Sequence, residues 1–339
     1  MKKTNRLAAG LALAAAAALA LTACSSDGGS GSEETTEAAS NGEVRTVKVA
    51  TVGIMSDVAL QIADEQGYLE AEGLEVEQVT VANPPAGVAA LQGGQVEFAF
   101  SPGVVFVNAR SQGVPVKIVA GASGFPEDVE PGPELDLYDD TGVYVAPDSG
   151  ITSLKDLEGK SIAVNARKAN LEATVSKALL DEGVDPKSIN WVALDFTSMG
   201  EALKNGEVDA AVPVNPFTLR AEEDGMKRIA SPATAFFGPG ASSFWLTSEK
   251  FESDEPEVVA GFQRAMLQAN EYANEHLDES IEAGIKVAGL DIPVEKAGKI
   301  YWPTEVTQEN VDIIADNLVE IGFLPDGTEV GDVIIPVAK

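Results

Sequence analysis

The chain has 339 residues, and its 54 acidic side chains outnumber 23 basic ones, leaving a formal net charge of −31. That balance excludes a nucleic-acid binder, which needs a basic footprint, and excludes electrostatic adhesion to anionic lipid. With one cysteine and one histidine, neither an internal disulfide framework nor a Cys/His metal cluster is available.

Residues 1–23 read as a leader. Lys2, Lys3 and Arg6 give a positive start, followed by an Ala/Leu-rich run of 15 residues, 7–21. A membrane span needs about 20, so the run predicts a signal peptide. Leu21-Thr22-Ala23-Cys24 resembles a bacterial lipobox. The resemblance implies cleavage before Cys24 and acylation of that cysteine by palmitate or a similar chain. Residues 25–43 are rich in Ser, Gly, Glu and Thr. They bury too little apolar surface to offset ordering entropy. Residues 24–45 therefore read as a lipidated cysteine and a flexible acidic tether. The rest is long enough for two domains with separate cores.

Folding is expected to begin at Thr46. Residues 47–53 read as a strand, and 54–57 as a loop. Residues 58–65 read as a helix with Ser56 or Asp57 as cap. A second strand spans 76–81. Asn83-Pro84-Pro85 opens a helix, with asparagine capping and proline tolerated in the first turn. The segment 90–100, ALQGGQVEFAF, closes that helix, turns at glycine and enters a third strand. Residues 104–110 are helical and 116–120 extended. Residues 121–138 are dense in Pro, Gly and acidic residues, which suits a loop leading into a crossing strand at 142–146.

Residues 153–217 read as strand, helix, strand, helix, strand. The strands are 161–164, 191–194 and 208–212. Asn170 is placed to cap the first helix, whose Leu171, Val175, Ala178 and Leu179 share one face, and Gly183 suits its C-terminus. Strands alternating with helices imply parallel sheet, with ligands beyond the carboxyl ends of the strands. The segment 202–212, ALKNGEVDAAV, fills the same eleven-residue frame as 90–100. It reads as an internal echo, of the kind two similar lobes would leave.

In this stretch DLEGK, IAV, ALLDEG, DP, ALKNGEVDAAV and NPF follow in order. Together they resemble the second lobe of substrate-binding lipoproteins of ABC importers. The branch is the alkanesulfonate/nitrate/taurine and thiamine-pyrimidine (SsuA/THI5-like) group. The resemblance implies an α/β fold of two Rossmann-like lobes joined by a two-crossing hinge, the type II periplasmic-binding-protein or Venus-flytrap architecture. The lobes are expected at 46–140 with 246–339, and at 141–245. It also implies an extracytoplasmic monomer, lipid-anchored to the bacterial membrane through Cys24, with a permease and its ATPase subunits as partners and no cofactor.

The return crossing is expected after Ser231, with a strand at 243–247. The remainder reads as helices at 256–274, 280–288 and 311–321. Tyr272, Tyr301 and Trp302 are expected to pack rather than touch ligand.

Catalytic signals are poor. His276 falls on an acidic helix, and there is no Walker A sequence and no cluster with metal-ligand spacing. A thiamine-pyrimidine synthase on this fold would need a cysteine-rich motif and a cleft histidine, and this chain has neither. The expectation is a binding protein without catalytic or metal residues.

Strand-end loops are expected to bring Met55, Ser56, Asp57, Asn83, Ser101, Pro102 and Ser123 to one side of a cleft. The other side would hold Asn165, Arg167, Asn170, Thr197, Ser198, Asn215 and Phe217. Helix N-termini at Asn83, Ser101, Asn170 and Ser198 would aim N–H groups at the ligand. Arg167 is expected either to clamp a sulfonate, nitrate or taurine-like anion, or to pair with a nearby carboxylate in solvent. The alternative ligand is a neutral pyrimidine-like ring, stacked on Phe217 or Phe125 and bonded by Asn165 and Asn215.

Overall fold

The computed structural model describes residues 44–130, 132, 134–287 and 291–337. The leader, Cys24, residues 25–43 of the tether and residue 288 lie outside the described residues; Arg45, expected to end the tether, already belongs to the first strand.

The first half opens with β1 (Arg45–Thr51), α1 (Val58–Glu65), α2 (Tyr68–Ala71) and β2 (Leu74–Thr80). It continues through α3 (Pro84–Gln92), β3 (Phe98–Pro102), α4 (Gly103–Ser111) and β4 (Val116–Phe125). After a crossing come β5 (Val143–Val145), β6 (Ser161–Val164), α5 (Asn170–Asp181) and β7 (Asn190–Ala193). Then follow α6 (Phe196–Lys204), β8 (Ala210–Ala211), α7 (Phe217–Glu223) and β9 (Lys227–Ala230). The chain returns through α8 (Ala233–Phe237) and β10 (Gly240–Ser248). It ends in α9 (Glu249–Asp254), α10 (Pro256–Glu275), α11 (Leu277–Val287) and α12 (Gln308–Glu320). No described helix is long and apolar enough to cross a membrane.

Two five-stranded sheets result, ordered β2-β1-β3-β10-β4 and β7-β6-β8-β5-β9. The plan is the same in both. Three parallel strands are followed by one antiparallel strand, which is the strand arriving from the other lobe. The internal echo falls on matching elements, with α3 and β3 answering α6 and β8. The third strand of the second sheet is shorter than its apolar run, because only Ala210–Ala211 is strand. The ladder still extends past it, through Asp209 N to Ser161 O and Val212 N to Ala163 O, each at 3.0 Å. Pro213, which has no N–H to donate, then ends it.

All of β10 lies in the first sheet, and α8 packs with that sheet's core. The chain has therefore returned to the first lobe near residue 232, which agrees with the crossing expected after Ser231 and moves the lobe boundary earlier than 246. Gly124 allows the approach there, since a Cβ on it would run into Gly240 O. The outer edge of β4 is covered by the C-terminal segment, with Ile118 N donating to Val333 O and Ile335 N donating to Ile118 O. Covering an edge removes a template for unwanted pairing.

Each sheet has a core on both faces. In the first, Val47 and Val49 face α1, α10 and α11, while Ala50 faces α3, α4 and α12. Phe98 stacks on Phe262 of α10 with centroids 3.9 Å apart and rings within 8° of parallel. Trp245 meets Phe262 edge-on at 6.1 Å, and Trp302 is fully buried in the same core. Phe262 joins the long helix to the centre of the sheet, so Phe262→Ala is expected to cost about 3–5 kcal/mol, mainly as a cavity. Urea denaturation read by tryptophan fluorescence measures this.

Candidate functional site

A cleft with about 710 Å³ of empty space, counted out to its mouth, lies between the carboxyl ends of the two sets of parallel strands. From the first sheet come Val52, Ile54 and Ser56 after β1, Asn83 and Pro84 after β2, and Phe100 and Pro102 of β3. Asn83 caps α3, its Oδ1 accepting from Ala86 N at 3.1 Å, so Nδ2 is the atom it offers the cleft. Ser123 and Phe125 reach it from β4, and Ser242 and Ser243 from β10. Ser242 Oγ donates to Ser123 O at 3.3 Å, which fixes two of these positions together.

The second sheet contributes Asn165 after β6, Phe196 after β7 and Val214 after β8. Asn170 and Leu171 add the first turn of α5. Asn170 does not cap this helix. Ala169 holds the cap position without a side-chain bond, and Asn170 faces the cleft instead. Its Oδ1 and that of Asn165 are buried without a hydrogen-bond partner.

The first crossing supplies Asp140 and Thr141. Its neighbour Asp139 is fully enclosed and holds the crossing in place. One Asp139 oxygen accepts from Thr141 N and Thr141 Oγ1 at 2.9 and 2.6 Å, and the other accepts from Ala233 N at 2.9 Å. Arg228 on β9 adds a contact at 3.9 Å and donates to the carbonyls of Asp139 and Thr141. Asp140 is half-buried and turned to the cleft, where Ser56 Oγ donates to it at 3.3 Å. Burial pushes the Asp140 carboxyl up to about 7, with the adjacent Asp139 charge adding to the rise. Asp140 is the one charged side chain among the described residues lining the cleft.

Of the fourteen expected positions, Ser56, Asn83, Pro102, Ser123, Asn165 and Asn170 meet at this cleft. The others do not. Met55 is wholly buried with Ile281 and Ile285 of α11. Asp57 turns back to accept from Val52, Gly53 and Ile54 N–H at 2.9, 2.7 and 3.3 Å, tying the loop after β1. Burial lifts its carboxyl to about 6. Ser101 is enclosed and donates to Pro102 O at 3.1 Å. Thr197 and Phe217 line a separate cavity between α6 and α7. Ser198 is bound by the helix cap Asp195. Asn215 is buried, bonded to Thr218 and, at 2.8 Å, to Ala297 O.

Arg167 is the largest departure. Its Nε and Nη2 grip Glu172 at 2.7 and 3.2 Å, and Glu172 is buried. Glu172 also accepts from Lys168 N at 2.7 Å. Arg167 lines a groove beside α3 and α4, away from the cleft. The ion-pair alternative for Arg167 is the one the geometry matches. Of the two rings expected to stack on a ligand, Phe125 lines the cleft, while Phe217 stacks on Phe196 at 5.2 Å.

Sequence reasoning missed Asp140, Phe196, Phe237 and the Ser242-Ser243 pair. A signal existed for Asp140: Asp139-Asp140-Thr141 immediately precedes the crossing strand, where an acidic pair is hard to place as turn chemistry. Nothing local marked the others. His276 is exposed and stacks on Tyr272 at 4.0 Å, outside any cleft.

The sequence model described as NMT1/THI5 like matches residues 57–125 and 138–280. The chain belongs to the NMT1/THI5-like family. A putative aliphatic sulfonates-binding protein of Bacillus subtilis (strain 168) is 26% identical over 287 residues, covering 83% of this chain and 80% of that one. A formylaminopyrimidine-binding protein of Halalkalibacterium halodurans is 24% identical over 268 residues, covering 76% and 73%. Among solved structures, the alkanesulfonate-binding protein SsuA from Xanthomonas axonopodis pv. citri bound to MOPS superposes with a TM-score of 0.70 at 17% identity. That match covers 86% of this chain and 98% of that one. The fold is the two-lobed α/β fold of periplasmic binding proteins.

Because Arg167 is committed to Glu172, Arg167→Ala is expected to lower stability by about 1–3 kcal/mol, the range for losing a hydrogen bond to a buried charge. Affinity at the cleft should stay within twofold of the parent. Denaturation and calorimetry on the same preparation separate the two effects, and a large loss of affinity would return Arg167 to the site.

Proposed function

We propose that this protein is the extracytoplasmic solute-binding component of an ABC importer. It captures a small molecule between its lobes and delivers it to a permease and its ATPase subunits. The observation that supports this most is a cleft built from the strand ends of two sheets with one shared plan. We take the lobes to divide near residues 140 and 232 and to act as a hinged pair. The protein is read as a binding protein and not an enzyme, in keeping with the relatives, which are named as binding proteins.

For the ligand, the leading class is a sulfonate, nitrate or taurine-like small anion, after the sulfonate-binding relative. With Arg167 turned away, hydroxyls, the Asn83 amide and backbone N–H groups would hold its oxygens. A second class, a pyrimidine-like or other small heterocycle, is favoured by a specific observation: Phe100, Phe125, Phe196 and Phe237 line the cleft and no Lys or Arg does so among the described residues. A ligand that binds only the folded protein raises Tm by mass action, so a thermal-shift screen of both classes is the first experiment. A true cleft ligand should also reduce the radius of gyration in solution scattering, because it biases an open–closed equilibrium. A compound that raises Tm without compaction would count against capture between lobes.

We further propose that Cys24 is acylated after removal of the leader and anchors a monomer to the outer face of the cell membrane. The lipobox-like sequence and the tether-like composition support this. One acyl chain holds weakly and two or more hold stably. Cys24→Ala is therefore expected to release the protein to the medium or to leave uncleaved precursor. Membrane fractionation and intact mass measure it, and unchanged membrane-bound mature protein would refute the anchor.

A further inference from the structure

The cleft holds two hydrogen-bond acceptors without a partner in the protein and one carboxylate with a single side-chain donor. Asp140 brings two carboxylate oxygens, of which one accepts the Ser56 hydroxyl at 3.3 Å. Asn165 Oδ1 and Asn170 Oδ1 line the same space and are buried without partners. A buried acceptor without a donor costs about 1–3 kcal/mol, so these two amide oxygens, beside the Asp140 carboxylate, call for donors from outside the protein. The charged groups nearby do not supply them. Arg228 is committed to Asp139 and to the carbonyls of Asp139 and Thr141. Arg167 is held by Glu172. Asp139 faces Asp140 with the same sign of charge.

We propose that Asp140 is a ligand-binding residue that receives a hydrogen-bond-donating nitrogen of the solute, an ammonium, amidinium or amino-substituted ring, with Asn165 and Asn170 accepting further N–H groups. This rests on the reading of the cleft as a solute site and narrows it. Among sulfonates it selects those that also carry an amine. Among heterocycles it selects those with an exocyclic amino group. The ring faces of Phe125, Phe196 and Phe237 take the apolar part of the molecule.

The linkage has a definite sign. A donor nitrogen prefers the ionised carboxylate, so binding must displace the proton that Asp140 holds when its pKa is raised to about 7. Affinity should therefore improve as pH rises, by about tenfold between pH 6 and pH 8, and level off above. An anion would show the reverse, tightening as Asp140 becomes neutral.

The test uses matched probes whose own charge is constant in this window: taurine against ethanesulfonate, and cytosine against 2-hydroxypyrimidine. Binding is measured by thermal shift and calorimetry from pH 6 to pH 8. The expected result is that an amino-bearing probe binds more tightly than its partner and tightens with pH. Asp140→Asn should weaken that probe 10- to 100-fold and flatten its pH profile, and Ser56→Ala, if the first variant fails to fold, should raise Kd with the slope retained. The parent's profile needs no variant. If ethanesulfonate or 2-hydroxypyrimidine binds better, or affinity falls with pH, the assignment of Asp140 is wrong while the solute-binding reading stands. If no probe binds at millimolar concentration, the assignment fails, and a negative scattering result with the wider screen would take the solute-binding reading with it.

Discussion

The buried carboxylate of Asp139 is the constraint on which the two-lobed arrangement depends. It sits in the first crossing and accepts from Ala233 N in the second, so a single side chain ties both connections together. Its other oxygen holds Thr141 by backbone and hydroxyl. Burial raises its pKa, and the Thr141 bonds and Arg228 oppose that rise. Removing a carboxylate of this kind leaves several enclosed donors unsatisfied, which is costly in a low-dielectric setting. With Asp139 fixed, the next side chain, Asp140, is delivered to the cleft at a defined position.

The same geometry explains why a strongly acidic protein is not thereby barred from binding an acidic or a zwitterionic solute. Charges on the outer surface act over a Debye length of about 8 Å at physiological salt. Inside the cleft, the few polar groups within hydrogen-bond reach dominate. There the pattern is one carboxylate, two asparagine oxygens and several hydroxyls against aromatic walls. Recognition in such a site depends on where donors and acceptors fall, and an unmatched one is rejected strongly.

The lobes also touch on both flanks of the cleft. Asn108 Nδ2 on α4 donates to Lys168 O at 2.8 Å, and Lys177 on α5 lies 3.6 Å from Glu320 on α12. On the other flank Asn215 Nδ2 donates to Ala297 O at 2.8 Å. These polar contacts flank apolar ones, Ala169 and Ala173 of the second lobe packing with the core that holds Phe236 and Ile314, and Val214 with the core on the other flank. Several residues with side-chain roles at these seams, Asn215 above all, look like ligand contacts when only their strand-end position is known.

The elements, the repeat of one α/β plan, and six of the residues lining the cleft are legible in the linear chain. Those depend on local physics: periodicity, caps, glycine turns, and the rule that loops after parallel strands gather at one end. Ser56, Asn83, Pro102, Ser123, Asn165 and Asn170 follow from that rule alone. The direction of each side chain and the pairing of charges depend on how the elements pack. Arg167, in the loop before α5, has Glu172 five residues on in the first turn of that helix, so the buried carboxylate captured it. Met55 turned inward because α11, far along the chain, needed a partner there. Asp140 became the charge lining the cleft because Ala233 and Arg228, about 90 residues later, lock its neighbour in place. Such choices compare contacts between segments distant in sequence, and a linear reading has no access to that comparison.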